Sequence, residues 1–204
     1  MNIVMANLGS FVALMLTAVF IENTIFARGI GVSRLVKLVG DTAVDSIIFC
    51  SLLTLLLVLS APLAFFANQL LASPECWFRD YIRPLVLVVC ATIAFVVVML
   101  FVVLLRPANM KTILAVLPMA TFNCAILGPM LITSTQNYNF VQTMGFALGS
   151  GLGYGFAVLI VTEGQRKLNN RNVPATLRGL PINLLYIGIL ALAIYALTGH
   201  RVAL

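Results

Sequence analysis

Two short polar runs interrupt a chain that is otherwise mostly apolar: Glu22-Asn23-Thr24, and Thr121-Phe122-Asn123-Cys124. A carboxylate beside an amide and a hydroxyl offers oxygen ligands and one negative charge, which suits a small cation or a proton. An amide beside a thiol pairs a hydrogen-bonding group with a ligand for a soft metal. Each run also has a plainer reading. Glu22 can snorkel to a membrane interface or pair with Arg28, and Cys124 can act as a small packed hydrophobe. Cys50 and Cys90 lie in apolar runs and read as packing residues, whereas Cys76, beside Trp77, reads as an exposed thiol. Neither a Cys-x-x-Cys pair nor a Cys/His pair at zinc spacing occurs, so neither a zinc site nor a disulfide framework is expected.

Composition fixes the setting of these groups. Hydrophobic residues make up 62% of the 204, charged residues only 9%, and the mean hydropathy is +1.10. A soluble domain carries about 25% charged residues to cover its surface. Here lipid must be the main solvent, and disorder is excluded by the same numbers. The net charge of +6 comes from scattered basic residues with no block of five, so nucleic acid is not an expected partner.

Six segments are long and apolar enough to cross a bilayer: 3–21, 43–66, 84–105, 112–132, 140–161 and 181–197. The N-terminal stretch lacks a basic flank and reads as the first span, not a removable signal. Connections on one side hold nine basic residues (Arg28, Arg34, Lys37, Arg106, Lys111, Arg166, Lys167, Arg171 and Arg178), against Arg79, Arg83 and Arg201 on the other. The bias predicts both termini outside the cytoplasm and a single multi-pass domain over 1–204 in the inner (cytoplasmic) membrane.

Setting residue n beside n+100 aligns 19–26 with 119–126, and Asn23 then coincides with Asn123. Three spans per half is an odd number, so halves of about 1–105 and 106–204 must be inverted. The expected fold is all-α, with six transmembrane helices in two inverted three-helix repeats. Spans 1 and 4 are expected to be broken at the polar runs. Pro118 and Gly128-Pro129 weaken the helix around the second run, and such a break is tolerated only where it is buried or lines a cavity. Span 5 carries Gly149-Ser150-Gly151-Leu152-Gly153-Tyr154-Gly155. With no preceding strand, and within lipid, this string reads as close helix packing and not as a phosphate loop.

Several stretches resemble the membrane subunits of Rnf and Nqr ion-translocating electron-transport complexes, of the RnfA/NqrE type. They are Thr121 to Gly128, Val173-Pro174-Ala175 followed by Arg178-Gly179, Tyr81-Ile82-Arg83, Gly31-Val32-Ser33, and the glycine-rich span 5 leading to Glu163 and Arg166. The resemblance covers nearly the whole chain. It implies coupling of electron transfer to sodium or proton movement, beside a homologous six-helix partner and other subunits of the complex. It also implies an iron–sulfur cluster shared with that partner, each subunit giving one cysteine from the span-1 region and one from span 4. Cys124 matches the span-4 ligand, with Asn123 beside it. The family's Leu-Gly-x-Cys-Pro stretch has no counterpart here, because Asn23 to Ser33 is shorter and holds no cysteine. Glu22, Asn23 and Thr24 remain the ion-pathway candidates, no residue is read as catalytic, and the isolated chain is expected to be inactive. The alternatives are a stand-alone small transporter and a cofactor-free scaffold on the same fold.

Overall fold

A computed structural model describes residues 2–38, 43–71, 79–105, 110–168, 174 and 176–198; Cys76, Arg106, Arg171 and Arg201 lie outside them. The described residues form helices and turns, with no strand. The helices are α1 (Asn2–Leu16), α2 (Val32–Leu38), α3 (Ala43–Leu70), α4 (Arg79–Leu105), α5 (Met110–Thr121), α6 (Cys124–Thr135), α7 (Phe140–Leu168) and α8 (Leu180–Thr198). A π-helical turn, Thr17–Ile21, extends α1.

Four helices are long and apolar enough to cross a membrane: Asp45–Leu70, Tyr81–Leu105, Phe140–Leu168 and Leu180–Leu197. α5 and α6, bent by 46° at their junction, together make a fifth. The count of straight spans therefore falls short of the six expected, and the shortfall lies in span 1. Its apolar helix, Asn7–Ile21, stops at a π turn and gives way to irregular chain before α2 resumes. A π turn widens the ladder by one residue and often marks a functional site. The chain between span 1 and span 2, expected as a loop, thus contains a helix of its own.

Large side chains that would be core in a soluble protein face outward. Val89, Val97 and Leu100 on α4, and Leu185, Ile189 and Leu192 on α8, are all exposed, so these two helices present their flanks to lipid. The buried core lies instead among α3, α4, α5, α6 and α7, around Phe49, Leu53, Leu56, Leu57, Leu117 and Ile126.

α7 is the axle of the bundle. Its glycines lie against Phe11, Met15 and Val19 at positions 145, 149 and 153, an order that sets α1 parallel to it. Gly151 and Gly155 lie against Thr54 and Cys50, an order that sets α3 antiparallel. A Cβ at Gly151 would fall 2.7 Å from Thr54 Oγ1, and one at Gly149 would strike the Met15 carbonyl and come within 2.8 Å of Ala18 Cβ. Small residues therefore allow backbone-to-backbone approach, as expected where lipid removes the ordinary hydrophobic drive between helices.

The glycines are not equivalent, and the difference is measurable. Gly149→Ala should destabilise the folded chain by about 1–3 kcal/mol through overpacking against α1. At Gly155 the nearest atom to an added Cβ is Cys50 Cβ at 3.8 Å, so Gly155→Ala should be neutral or stabilising. Thermal or denaturant unfolding of both variants in the same detergent checks the contrast.

Candidate functional site: two helix breaks meeting on α7

Asn23 ends the first helix and satisfies its loose backbone. Its Oδ1 accepts hydrogen bonds from the N–H groups of Ile25 (3.0 Å) and Phe26 (3.3 Å). Its Nδ2 donates to the carbonyls of Val19 (2.8 Å) and Gly153 (3.0 Å). The side chain is 1% exposed, and its two acceptor and two donor positions are all used. Gly153 belongs to α7, so this one amide both closes the break and fastens it to the axle. The chain beyond curls tightly, with Ala27 N–H on Asn23 O, Gly29 N–H on Ile25 O and Ile30 N–H on Thr24 O. Gly29 and Gly31 take φ of +67° and +87°, values that a side chain resists. Thr24 is buried within the curl.

Asn123 does the matching work in the other broken segment. Its backbone is extended (φ −104°, ψ 141°), and its Oδ1 accepts from Ala125 N–H at 3.2 Å, capping α6. Both asparagines thus bond the N–H two residues on. Asn123 also interacts with the Tyr154 hydroxyl, but its amide nitrogen is buried without a hydrogen bond of good geometry.

The two breaks touch. A Cβ on Gly31 would lie 3.1 Å from both Ala125 Cβ and the Tyr154 ring, and one on Gly128 would lie 3.0 Å from Ile30. Tyr154 donates to the Gly31 carbonyl at 3.4 Å. Its ring packs on Phe49 with centroids 5.9 Å apart, and the Arg34 guanidinium sits 5.1 Å above Phe49. α1 runs parallel to α7, while α6 turns back into α7 through residues 136–139. The broken segments therefore reach this contact from opposite ends of the bundle.

Depth follows from the Asn23–Gly153 bond. Gly153 lies about 20 Å from either end of α7 at 1.5 Å per residue. Glu22, next to Asn23, is consequently level with the middle of α7. It forms an ion pair with Arg28, Oε2 to Nη2, at 2.6 Å. The two side chains are 36% and 39% exposed, so the pair faces out of the chain. A charge pair at this depth needs protein or water against it, since bare hydrocarbon would leave it unsolvated.

Cys124 is the first residue of α6 and is exposed on the surface of this chain. Met119 and Phe122, on the other side of Asn123, are also exposed, at 57% and 58%. Cys90 is buried and Cys50 half-buried, as packing residues should be. Among the described residues no three of His, Cys, Asp and Glu gather as a metal-binding group. A cluster held by four thiolates and shared equally needs two from each chain. This chain brings one to the break region, so its residues do not fit an equal share.

Sequence reasoning found the two asparagines but missed what they rest on. Tyr154, Gly153, Gly31 and Gly128 form the seat of the crossing. The signal was there in Gly31-Val32-Ser33, in Gly128-Pro129 and in a lone tyrosine within the glycine run, but contacts between such distant parts of the chain leave no local period.

Comparison with known proteins identifies the family. The profile of a family described as "Rnf-Nqr subunit, membrane protein" matches residues 11–200. One subunit of the Na+-translocating ferredoxin:NAD+ oxidoreductase complex of Acetobacterium woodii is 26% identical over 94% of this chain and 98% of its own length. One subunit of the Na+-translocating NADH-quinone reductase of Chlamydia pneumoniae is 27% identical, over 91% of this chain and 76% of its own length. A third relative, from the ion-translocating oxidoreductase complex of Syntrophotalea carbinolica, is 26% identical, over 91% of this chain and 95% of its own length. A profile match across nearly the full length settles the affiliation: the chain belongs to the Rnf-Nqr family of membrane subunits.

Proposed function

We propose that this chain is a membrane subunit of an Rnf/Nqr-type complex that couples electron transfer to sodium or proton translocation. The observation that carries the reading is the crossing of two asparagine-closed helix breaks at middle depth, with a charge pair facing outward beside it. Broken helices meeting from opposite ends expose backbone dipoles where an ion can be held, a device of inverted-repeat transporters. In this reading α1 and α2 are the two parts of span 1, and α5 and α6 the two parts of span 4. Six crossings then form two inverted halves, with both termini on the non-cytoplasmic side of the inner membrane.

The residues divide the work. Glu22 attracts the cation, and Arg28 holds the carboxylate when no ion is present, so an entering ion must displace the guanidinium. Asn23 and Thr24 keep the curl in place beneath it, and Asn123 holds the facing break. The outward Glu22–Arg28 pair and exposed Cys124 lie against a homologous membrane subunit, which supplies the cover that lipid cannot. Cys124 would be this chain's single thiolate toward an iron–sulfur cluster at that interface, with the remaining ligands coming from the partner. Redox substrates bind to other subunits, and the isolated chain has no activity of its own.

A second reading, a transporter that keeps the scaffold without a redox cofactor, is favoured by the cysteine-free stretch from Asn23 to Ser33. Anaerobic purification with iron analysis and EPR separates the two. The expected result is co-purification with flavin- or iron-bearing subunits and the loss of one cluster signal in Cys124→Ser. An intact, electron-transferring complex with an unchanged cluster inventory in Cys124→Ser would remove the cluster role.

Glu22 has its own test. Glu22→Gln keeps the shape and removes the charge, and should lower electron-driven cation uptake into proteoliposomes by about tenfold, equivalent to ~1.4 kcal/mol of ion affinity. Unchanged uptake and unchanged ion dependence would place the ion path elsewhere.

A further inference from the structure

A second polar site lies away from the helix breaks, where α3, α6 and α7 converge. Asn68, Thr133, Ser134, Tyr138 and Thr143 line a cavity of about 10 Å³, otherwise walled by Ala64, Phe65 and Met130. Such a volume admits one water-sized sphere. Thr133, Ser134 and Thr143 are each at least nine-tenths buried, an unusual gathering of hydroxyls in a bundle this apolar.

The hydrogen bonds determine what the cavity offers. Ser134 donates its proton to Asn68 Oδ1 at 2.9 Å, and Thr133 donates to the Met130 carbonyl at 3.0 Å. With those protons committed, both hydroxyls have only lone pairs left for the cavity. Thr143, 3% exposed, adds a third hydroxyl to the wall. Two helices, α3 at Leu70 and α6 at Thr135, end beside the cavity with their carbonyl termini, against one amino terminus at Phe140. The balance of helix dipoles there favours positive charge.

We propose that this cavity binds a dehydrated monovalent cation of sodium size, as a station between this end of the bundle and Glu22. The inference rests on the ion-translocation reading and adds a place to it. Tyr138 supplies the link toward the break: its ring packs on Phe146 at 5.8 Å, within the cluster that holds Ala18, one helical turn before Glu22. Burial first, and the charge on Glu22 second, push the Tyr138 phenol up, so it stays protonated and the wall stays neutral. A neutral oxygen cage holds a cation loosely enough to pass it on.

The test is equilibrium binding of ²²Na+ to the full chain in nanodiscs, with unlabelled Na+, K+ and choline as competitors. Wild type should show saturable binding displaced by Na+ and not by choline. Thr143→Val and Ser134→Ala should each weaken it by about tenfold or more. Thr143→Ser, which keeps the oxygen, should restore it, and Thr92→Val, whose hydroxyl bonds within its own helix, should leave it unchanged. Absence of saturable Na+ binding in a folded wild-type chain overturns the proposal and makes the cavity a water site. So does binding that survives both cavity variants but is lost in Glu22→Gln. Neither result touches membership of a redox-driven complex, which co-purification and electron-driven uptake decide separately.

Discussion

The structure depends on one demand, that a helix broken in the middle of a membrane must find partners for the backbone groups it releases. In hydrocarbon an unpaired N–H or carbonyl costs several kcal/mol, so a break persists only where protein satisfies it. Asn23 meets the demand with four hydrogen bonds from a single amide, and the bond to Gly153 makes the solution tertiary as well as local. The glycines of α7 follow from this. Unless α1 approaches to backbone distance, Asn23 cannot reach a carbonyl on the neighbouring helix. The stripe that resembles a phosphate loop is thus the track along which the first break is set at its depth.

The second break is closed less completely. Asn123 caps α6 through Ala125, but its amide nitrogen remains without a good partner beside Tyr154. A buried donor left open stores free energy that a change in the surroundings can release. The two closures therefore differ: Asn23 uses both of its amide donors, while neither donor of Asn123 makes a hydrogen bond of good geometry.

Much of this was legible in the sequence. Apolar run lengths placed α3, α4, α7 and α8 well, because a bilayer imposes a length on each. The two asparagines stood out because polar groups in such runs are costly and need a reason. Span 1 was harder to read. A twenty-residue apolar run does not reveal that its last turn is π-helical, or that its continuation beyond the break is a separate short helix. The depth of Glu22 and the outward aspect of Cys124 were also hidden, since both are set by which neighbour an amide or a helix start meets. The polar cavity was missed for the same reason. Asn68, Ser134 and Thr143 are far apart in sequence and gather only because the ends of α3 and α6 meet the start of α7.

The crossing of Gly31 over Ala125 and Tyr154 also constrains how this chain can change over evolutionary time. Gly31 has no room for a side chain and a backbone conformation that resists one, with φ at +87° and neighbours at 3.1 Å. A side chain placed there by point substitution, a thiol included, would force the two breaks apart, and a longer curl would be needed to seat one clear of Tyr154.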